Sequence, residues 1–367
     1  MEDNYRKLQE HLDKMPIGFP RAKSGADIRL LENLFTPEEA KIATFLKFEW
    51  YRDVESLEQI YERIKNTGIS LKDLERNLDN MAKKGSILSK REGKKKYFGN
   101  ALVIIGLYEY QVNKLTDEFI NALNEYISEI WGAEANPTDY HQLRVIPVDV
   151  SIDPELNIAP YDNVKKIIEE CDGPFVKVNC VCRQEMEFRG EPCKMTKHND
   201  NCLGFGDMAQ MCIDQGSGTQ ISKEETLEIL HRNQEEGLIF RPNNSQKVDF
   251  ICSCCYCCDG GISSLRNLPN PADFADSNYY SQIDPELCTG CGTCLERCQV
   301  KAITLIEDIA SIDLKRCIGC GNCIIVCPSE AISLHQKEEQ YIPPQTMDDL
   351  YDMILIEKTK LKEGKSK

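Results

Sequence analysis

No run of apolar residues in this chain is long enough to cross a bilayer as a helix. The longest, near Ala101 to Tyr108, falls far short of the roughly 20 residues such a span needs. The opening residues MEDNYRKLQEHLDKM lack the apolar core and small-residue cleavage site of a secretory signal, so the chain is expected to stay in the cytoplasm, with no membrane insertion. Gly204-Phe205-Gly206 and Gly216-Ser217-Gly218 lack the strand and helix context of a dinucleotide fingerprint or a phosphate loop, so neither flavin nor nicotinamide is expected. Positive charge is in deficit, with 44 Lys and Arg against 60 Asp and Glu and a formal net charge of −16. That balance disfavours nonspecific binding to nucleic acid or anionic lipid and favours protein partners with basic patches. Cysteine is absent from the first 170 residues.

Beyond that point cysteine is abundant, 19 residues between Cys171 and Cys327. In a long chain without a leader, this clustering points to metal ligation rather than to a disulfide framework. The expected architecture is multidomain α+β. It comprises a mainly helical domain at 1–135, a small α+β cysteine-rich middle domain at 136–275, a second cysteine-rich domain at 279–337 and a helical tail at 338–367.

In the first domain, Thr36, Pro37 and Glu39 open a helix running to about Lys47 through a capping box and a proline at the first helical position. A second helix fits Ser56 to Asn66, ended by Gly68. A third, capped by Ser70, fits Leu71 to Ala82, with Leu71, Leu74, Leu78 and Met81 on one face. SILSKREGKKKYFG then reads as two short strands about an Arg91-Glu92-Gly93-Lys94 turn. Three helices and a hairpin in this order resemble a winged helix-turn-helix over residues 26–110. A further helix fits Thr116 to Trp131. In the middle domain, strands are expected at Arg144-Val145-Ile146 and at Phe175 to Val178. Helices are expected at Tyr161 to Cys171 and, with a Ser222/Glu225 capping box, at Ser222 to Glu236. The tail helix, Thr346 to Leu361, has Met347, Leu350, Tyr351, Ile354 and Leu361 as its apolar residues and is expected to dock on the body.

The segment CTGCGTCLERCQV at 288–300 recurs as CIGCGNCIIVCPS at 317–329. Each cysteine reappears 29 residues later (Cys288 to Cys317, Cys298 to Cys327), and both copies continue into Ala-Ile. This is an internal duplication. Three cysteines at intervals of three wrap a tight loop around one face of a cubane, so that their thiolates reach three irons of one cluster. The fourth cysteine lies on the helix that follows and points away. These motifs closely resemble the bacterial-type dicluster ferredoxin domain. The resemblance implies two 4Fe-4S clusters with crossed ligation, one on Cys288, Cys291, Cys294 and Cys327, the other on Cys317, Cys320, Cys323 and Cys298. Gly290, Gly292, Gly319 and Gly321 let backbone amides approach the sulfurs, bonds that stabilise the reduced state. The proline usual after the fourth cysteine is present as Pro328 but is replaced by Gln299 in the first copy.

Upstream, Cys180, Cys182, Cys193 and Cys202 offer four thiolates within 23 residues, enough to close one tetrahedral or cubane site: a third 4Fe-4S cluster, a structural zinc, or free thiols. Arg183 is placed to offset cluster charge. The run Cys252, Cys254, Cys255, Cys257 and Cys258 is too dense for one metal. Either the run packs as buried thiols, or part of it, taken as Cys252, Cys254 and Cys255, supplies a ligand to the upstream site or holds an additional, unusual cluster. Cys171 and Cys212 read as core residues.

Taken whole, the chain resembles multidomain 4Fe-4S proteins of anaerobic bacteria and archaea. The resemblance implies an electron-transfer protein or oxidoreductase subunit with redox protein partners. The alternative is an iron–sulfur redox-sensing winged-helix transcription regulator, favoured by a basic wing of Lys83, Lys84, Lys90, Arg91, Lys94, Lys95 and Lys96. It is opposed by Asp73, Glu75 and Asp79 on the third helix, so nucleic acid is not expected as a partner. A third reading, a catalytic oxidoreductase built at Cys252 to Cys258, finds no other support in the sequence.

Overall fold

The computed structural model describes residues 3–48, 50, 52, 54–131, 134, 138–153 and 158–364. The chain divides into two compact units, Met1–Tyr140 with Asp207–Thr219 and Met347–Lys367, and His141–Gly206 with Gln220–Thr346. Among the described residues, no helix is long and apolar enough to cross a membrane.

In the first unit, side-chain caps start most helices. Thr36 and Glu39 close a capping box on Pro37–Ala43, Ser56 and Gln59 another on Leu57–Ile64, and Ser70 caps Leu71–Lys84. The first of these helices ends at Ala43, short of Lys47. With no glycine to impose the stop, the sequence does not mark where it falls. Gly68 and Gly85 do stop their helices, each in the left-handed conformation. Leu74, Leu78 and Met81 are buried, whereas Leu71, in the first turn, is exposed. Strand β1 (Glu55–Ser56) and the hairpin β2 (Leu88–Glu92) and β3 (Lys95–Gly99) form an antiparallel sheet in the order β1-β3-β2. Helix Asp117–Tyr126 follows, capped by Thr116. The last helix, Met347–Gly364, buries Met347, Leu350, Tyr351 and Ile354. Asp348 accepts a bond of 2.7 Å from the Trp50 amide, and the rings of Tyr351 and Phe48 meet edge to face at 5.3 Å. Leu361, from the same apolar set, is left exposed.

The second unit is organised on a five-stranded sheet made of β4 (Phe175–Val178), β5 (Cys202–Phe205), β6 (Gly218–Ile221), β7 (Ile239–Pro242) and β8 (Phe250–Cys254), in the order β6-β4-β5-β8-β7. Helices Val164–Glu170 and Lys223–Glu235 contribute Ile167, Ile168, Ile229 and Leu230 to a core that includes Phe175, Phe205 and Ile251 of the sheet. Arg144 to Ile146, expected as a strand, makes only isolated bridges, through Ile146 to Phe240 and through Leu143 to Asn243. Arg144 is fully buried and its guanidinium serves Asp162 and the carbonyls of Asn243, Ser245 and Tyr161. That work holds the segment in place without a ladder.

The duplicated segment folds as two like halves. Strand β9 (Tyr279–Ile283) pairs antiparallel with β12 (Ile332–Gln336), and β10 (Ile303–Ile306) with β11 (Ile309–Ile312). Short helices, Thr293–Arg297 and Asn322–Ile325, carry the third cysteine of each copy, Cys294 and Cys323.

Candidate metal centres

Each copy of the repeat sends its cysteines to two places. Cys288, Cys291 and Cys294 share one cavity with Cys327 of the other copy, walled by Ile283, Ala310 and Ile332. Cys317, Cys320 and Cys323 share a second with Cys298, walled by Ile303, Ile312 and Ile318. The local cause is the short helix that carries the third cysteine of each copy, which turns the fourth cysteine away from its own loop. Cys298 caps the C-terminal end of its helix and Cys327 lies two residues past the end of the other, neither on a following helix as expected.

Backbone amides reach the sulfurs symmetrically. Ala302 donates to Cys298 Sγ at 3.2 Å and Ala331 to Cys327 Sγ at 3.3 Å, equivalent positions of the two copies. Ala310 donates to Cys288 Sγ and Ser281 to Cys317 Sγ, both at 3.4 Å. Gly290 and Gly319 both adopt φ +67°, and a Cβ at either would lie 2.2 Å from a backbone carbonyl oxygen, of Asp308 or Tyr279, so only glycine fits. Burial pushes the Cys320 thiol up to about 12 and also raises Cys294, Cys298 and Cys323, while hydrogen bonding from Thr293 lowers the exposed Cys291. Buried thiols that resist ionising in apolar walls, yet receive amide donors suited to a thiolate, fit a site completed by cationic iron. The donor set and the cavities are those of iron–sulfur clusters.

Gln299, the departure from the proline pattern, has its own task. It is buried, its Oε1 accepts from the Tyr256 amide at 2.8 Å and its Nε2 donates to the Gly237 carbonyl at 2.6 Å. Asn322 also donates to the carbonyls of Gly237 and Leu238. The repeat is thereby bound to the sheet and to the dense cysteine run. Cys252 and Cys254 share a core with Cys298, Cys317 and Cys320.

The middle cysteines sort into two groups. Cys193 joins Cys255, Cys257 and Cys258, whose four sulfurs all lie within 4.8 Å of one another. Cys180 hydrogen-bonds with Cys182 and Cys202, Cys202 with Cys252, and Cys252 with Cys254. The pairing of β5 with β8 sets Cys202 opposite Cys252. Within the first group protons are shared unequally. Bonds from Cys255, Cys257 and Cys258 hold Cys193 far below the ordinary thiol range, and donation to Cys193 pushes Cys255 and Cys258 up. The bond with Cys193 raises Cys257, but those from Cys255 and Cys258 outweigh it and bring Cys257 down to about 6. Arg183 is buried against both groups, its Nη2 donating to the Ser253 carbonyl at 2.9 Å and lying 3.8 Å from Cys255 Sγ. Arg241, paired with Asp259 at 3.0 Å, faces Cys252 and Cys254. Cys257, Cys258 and Arg241 were missed as site residues by sequence reasoning; only the density of the run hinted at the first two. Burial pushes Cys171 and Cys212 up to about 12 and about 11, and neither joins either group.

Residues 280–328 match the family model of the 4Fe-4S dicluster domain, which supports a ferredoxin-type domain here. Neither a curated protein nor a solved structure matches the chain significantly. Together with the nineteen cysteines, the match points to iron–sulfur electron transfer.

Proposed function

We propose that this chain is an electron-transfer protein, or the electron-transfer subunit of an oxidoreductase, that holds two 4Fe-4S clusters by crossed ligation and exchanges electrons with redox protein partners. The observation that carries this reading is the sorting of eight cysteines from two repeat copies around two cavities, within the stretch that matches the dicluster family. A 4Fe-4S cluster, when bound, takes up and returns one electron. The chain's part is to keep that exchange free of rearrangement. The thiols are fixed by short helices and glycine turns, the apolar walls exclude water, and the amides of Ala302, Ala331, Ala310 and Ser281 offset the negative charge gained on reduction. Cys291 is the exposed ligand, so the cavity of Cys288, Cys291, Cys294 and Cys327 is the side that meets a partner. The middle cysteines supply a further metal site, and Cys252 and Cys254 among them share a core with Cys298, Cys317 and Cys320 of the second cavity.

The N-terminal unit is read as a winged-helix-like module that docks protein rather than DNA. Three of its wing cations are already paired: Lys96 with Asp79 at 2.7 Å, Arg91 with Asp214 at 2.6 Å, and Lys90 with Glu92 and Asp207. Phosphate contacts would have to break these pairs.

Substitution Cys327→Ser tests the crossed assignment. EPR of the reduced protein is expected to show the perturbed centre to be the one also perturbed by Cys288→Ser, with the centre perturbed by Cys317→Ser left intact. Grouping of Cys327 with Cys317 instead would overturn it.

A further inference from the structure

The two middle thiol groups differ in shape from the dicluster cavities, and one of them is tight enough to fix how many metal ions it holds. Cys193 follows helix Val181–Phe188, while Cys255, Cys257 and Cys258 sit in the turn after β8, where the amides of Cys258 and Asp259 return to the Cys255 carbonyl at 3.3 and 3.0 Å. Cys193 Sγ lies 3.6 Å from Cys255 Sγ and 3.8 Å from Cys257 Sγ, Cys255 lies 3.6 Å from Cys257, and Cys257 lies 3.8 Å from Cys258. Four thiolates bound at about 2.3 Å around one tetrahedral ion have sulfur–sulfur edges of about 3.8 Å. On a cubane, each thiolate sits on its own iron and the sulfurs diverge. Among the described residues, the eight dicluster cysteines form no group this tight.

A second observation points to an anionic centre at the same place. Arg183 is 1% exposed, its Nε and Nη1 have no hydrogen-bond partner, and it faces the sulfurs of Cys255 and Cys193 as well as those of Cys180 and Cys202. A guanidinium buried in this way needs a neighbouring negative charge. Four thiolates on a divalent ion leave a net charge of about −2, and the amide of Lys194, donating to Cys257 Sγ at 3.4 Å, adds the kind of bond that orients such ligands.

We propose that Cys193, Cys255, Cys257 and Cys258 bind a single soft metal ion, zinc or iron, as a mononuclear tetrathiolate. This deepens the reading that the middle cysteines hold a metal, and it stands apart from the dicluster reading. Cubanes contain iron and labile sulfide in equal number, however many of them the chain holds. In the anaerobically purified full chain, iron plus zinc is therefore expected to exceed acid-labile sulfide by about one per chain. That excess should vanish in Cys193→Ser and in Cys258→Ser, with sulfide unchanged and the EPR of the reduced clusters retained as evidence that the variant folds. X-ray absorption of the wild type at the zinc or iron edge identifies which ion supplies the excess. Equal metal and sulfide in the wild type would overturn the proposal. So would loss of iron and sulfide in equal amounts from a variant with intact dicluster EPR, which would mean a polynuclear centre. If both variants misfold, the wild-type excess alone decides. Failure of the dicluster reading looks different, as absence of labile sulfide altogether.

Discussion

Gly319 adopts φ +67°, as Gly290 does in the other copy, and a Cβ here would lie 2.2 Å from the Tyr279 carbonyl and 2.6 Å from Ser277 Oγ. Tyr279 is held in register with Gln336 on β12, so the obstacle is backbone that cannot yield cheaply. Gly319→Ala is expected to cost about 2 to 5 kcal/mol, combining the left-handed penalty with overpacking, and to lose the cluster of Cys317, Cys320, Cys323 and Cys298. Gly93→Ala, at φ +61° with open space around it, should cost only about 1 to 2 kcal/mol and leave iron content unchanged. Denaturant unfolding with iron analysis checks both; equal costs would show that the close approach to Tyr279 is unimportant. At this scale the two cysteine quartets that line the cavities were legible because duplication displays them twice. The partners of Cys193 were not, since the contact to Cys255 spans 62 residues and depends on the pairing of β5 with β8. Spacing along the chain carries no trace of that register. The role of Gln299 was likewise hidden: the sequence marked it only as a missing proline.

Among the elements, helix starts were readable and helix ends less so. Thr36, Ser56, Ser70, Thr116 and Ser222 each cap the helix that the sequence assigns to them, because a cap needs only the next three residues. The strand expected at Arg144 to Ile146 failed to form a ladder because Arg144 spends its hydrogen bonds on Asp162 and loop carbonyls, a tertiary demand that period-two patterning does not express. Strand β1 shows how little sheet a few charges can anchor. Glu55 is buried, receives two bonds from Arg63, one of them at 2.7 Å, and lies 3.4 Å from Lys47. Burial alone would raise its pKa, but the Arg63 bonds and charge, with Lys47, hold it below the ordinary carboxylate value of 4.5. A carboxylate with a depressed folded pKa contributes stability that is present above 4.5 and is lost as pH falls through the folded value. Wild type is thus expected to exceed Glu55→Gln in stability near neutrality, by about 1 kcal/mol given that Arg63 is a third exposed, with the gap closing on acidification below 4.5. Parallel thermal melts across pH 3 to 7 read this directly, and a gap that stays constant would show that the ion pair contributes nothing.

For the whole molecule, the cysteine-free N-terminal stretch and the cysteine-rich remainder are separable by composition, but the way the chain divides is not. Asp207–Thr219 and Met347–Lys367 belong to the first compact unit although both follow Cys171 in sequence. Their assignment rests on long-range contacts, such as Arg91 with Asp214 and Trp50 with Asp348, that no local pattern announces. The acidic balance of −16 and the pairing of Arg91 and Lys96 with carboxylates are the observations behind the proposal of a protein partner rather than nucleic acid. Electron transfer through the dicluster domain is the claim on which the rest depends, and reductive titration of the anaerobic full chain, followed by EPR and anchored by iron and sulfide analysis, tests it most directly. The expected result is about eight labile sulfides from the two dicluster clusters, more if the middle site adds another, with two reversible one-electron reductions whose spins interact because the clusters are neighbours. A chain that carries no labile sulfide, or that takes up no electrons at any attainable potential, would contradict it.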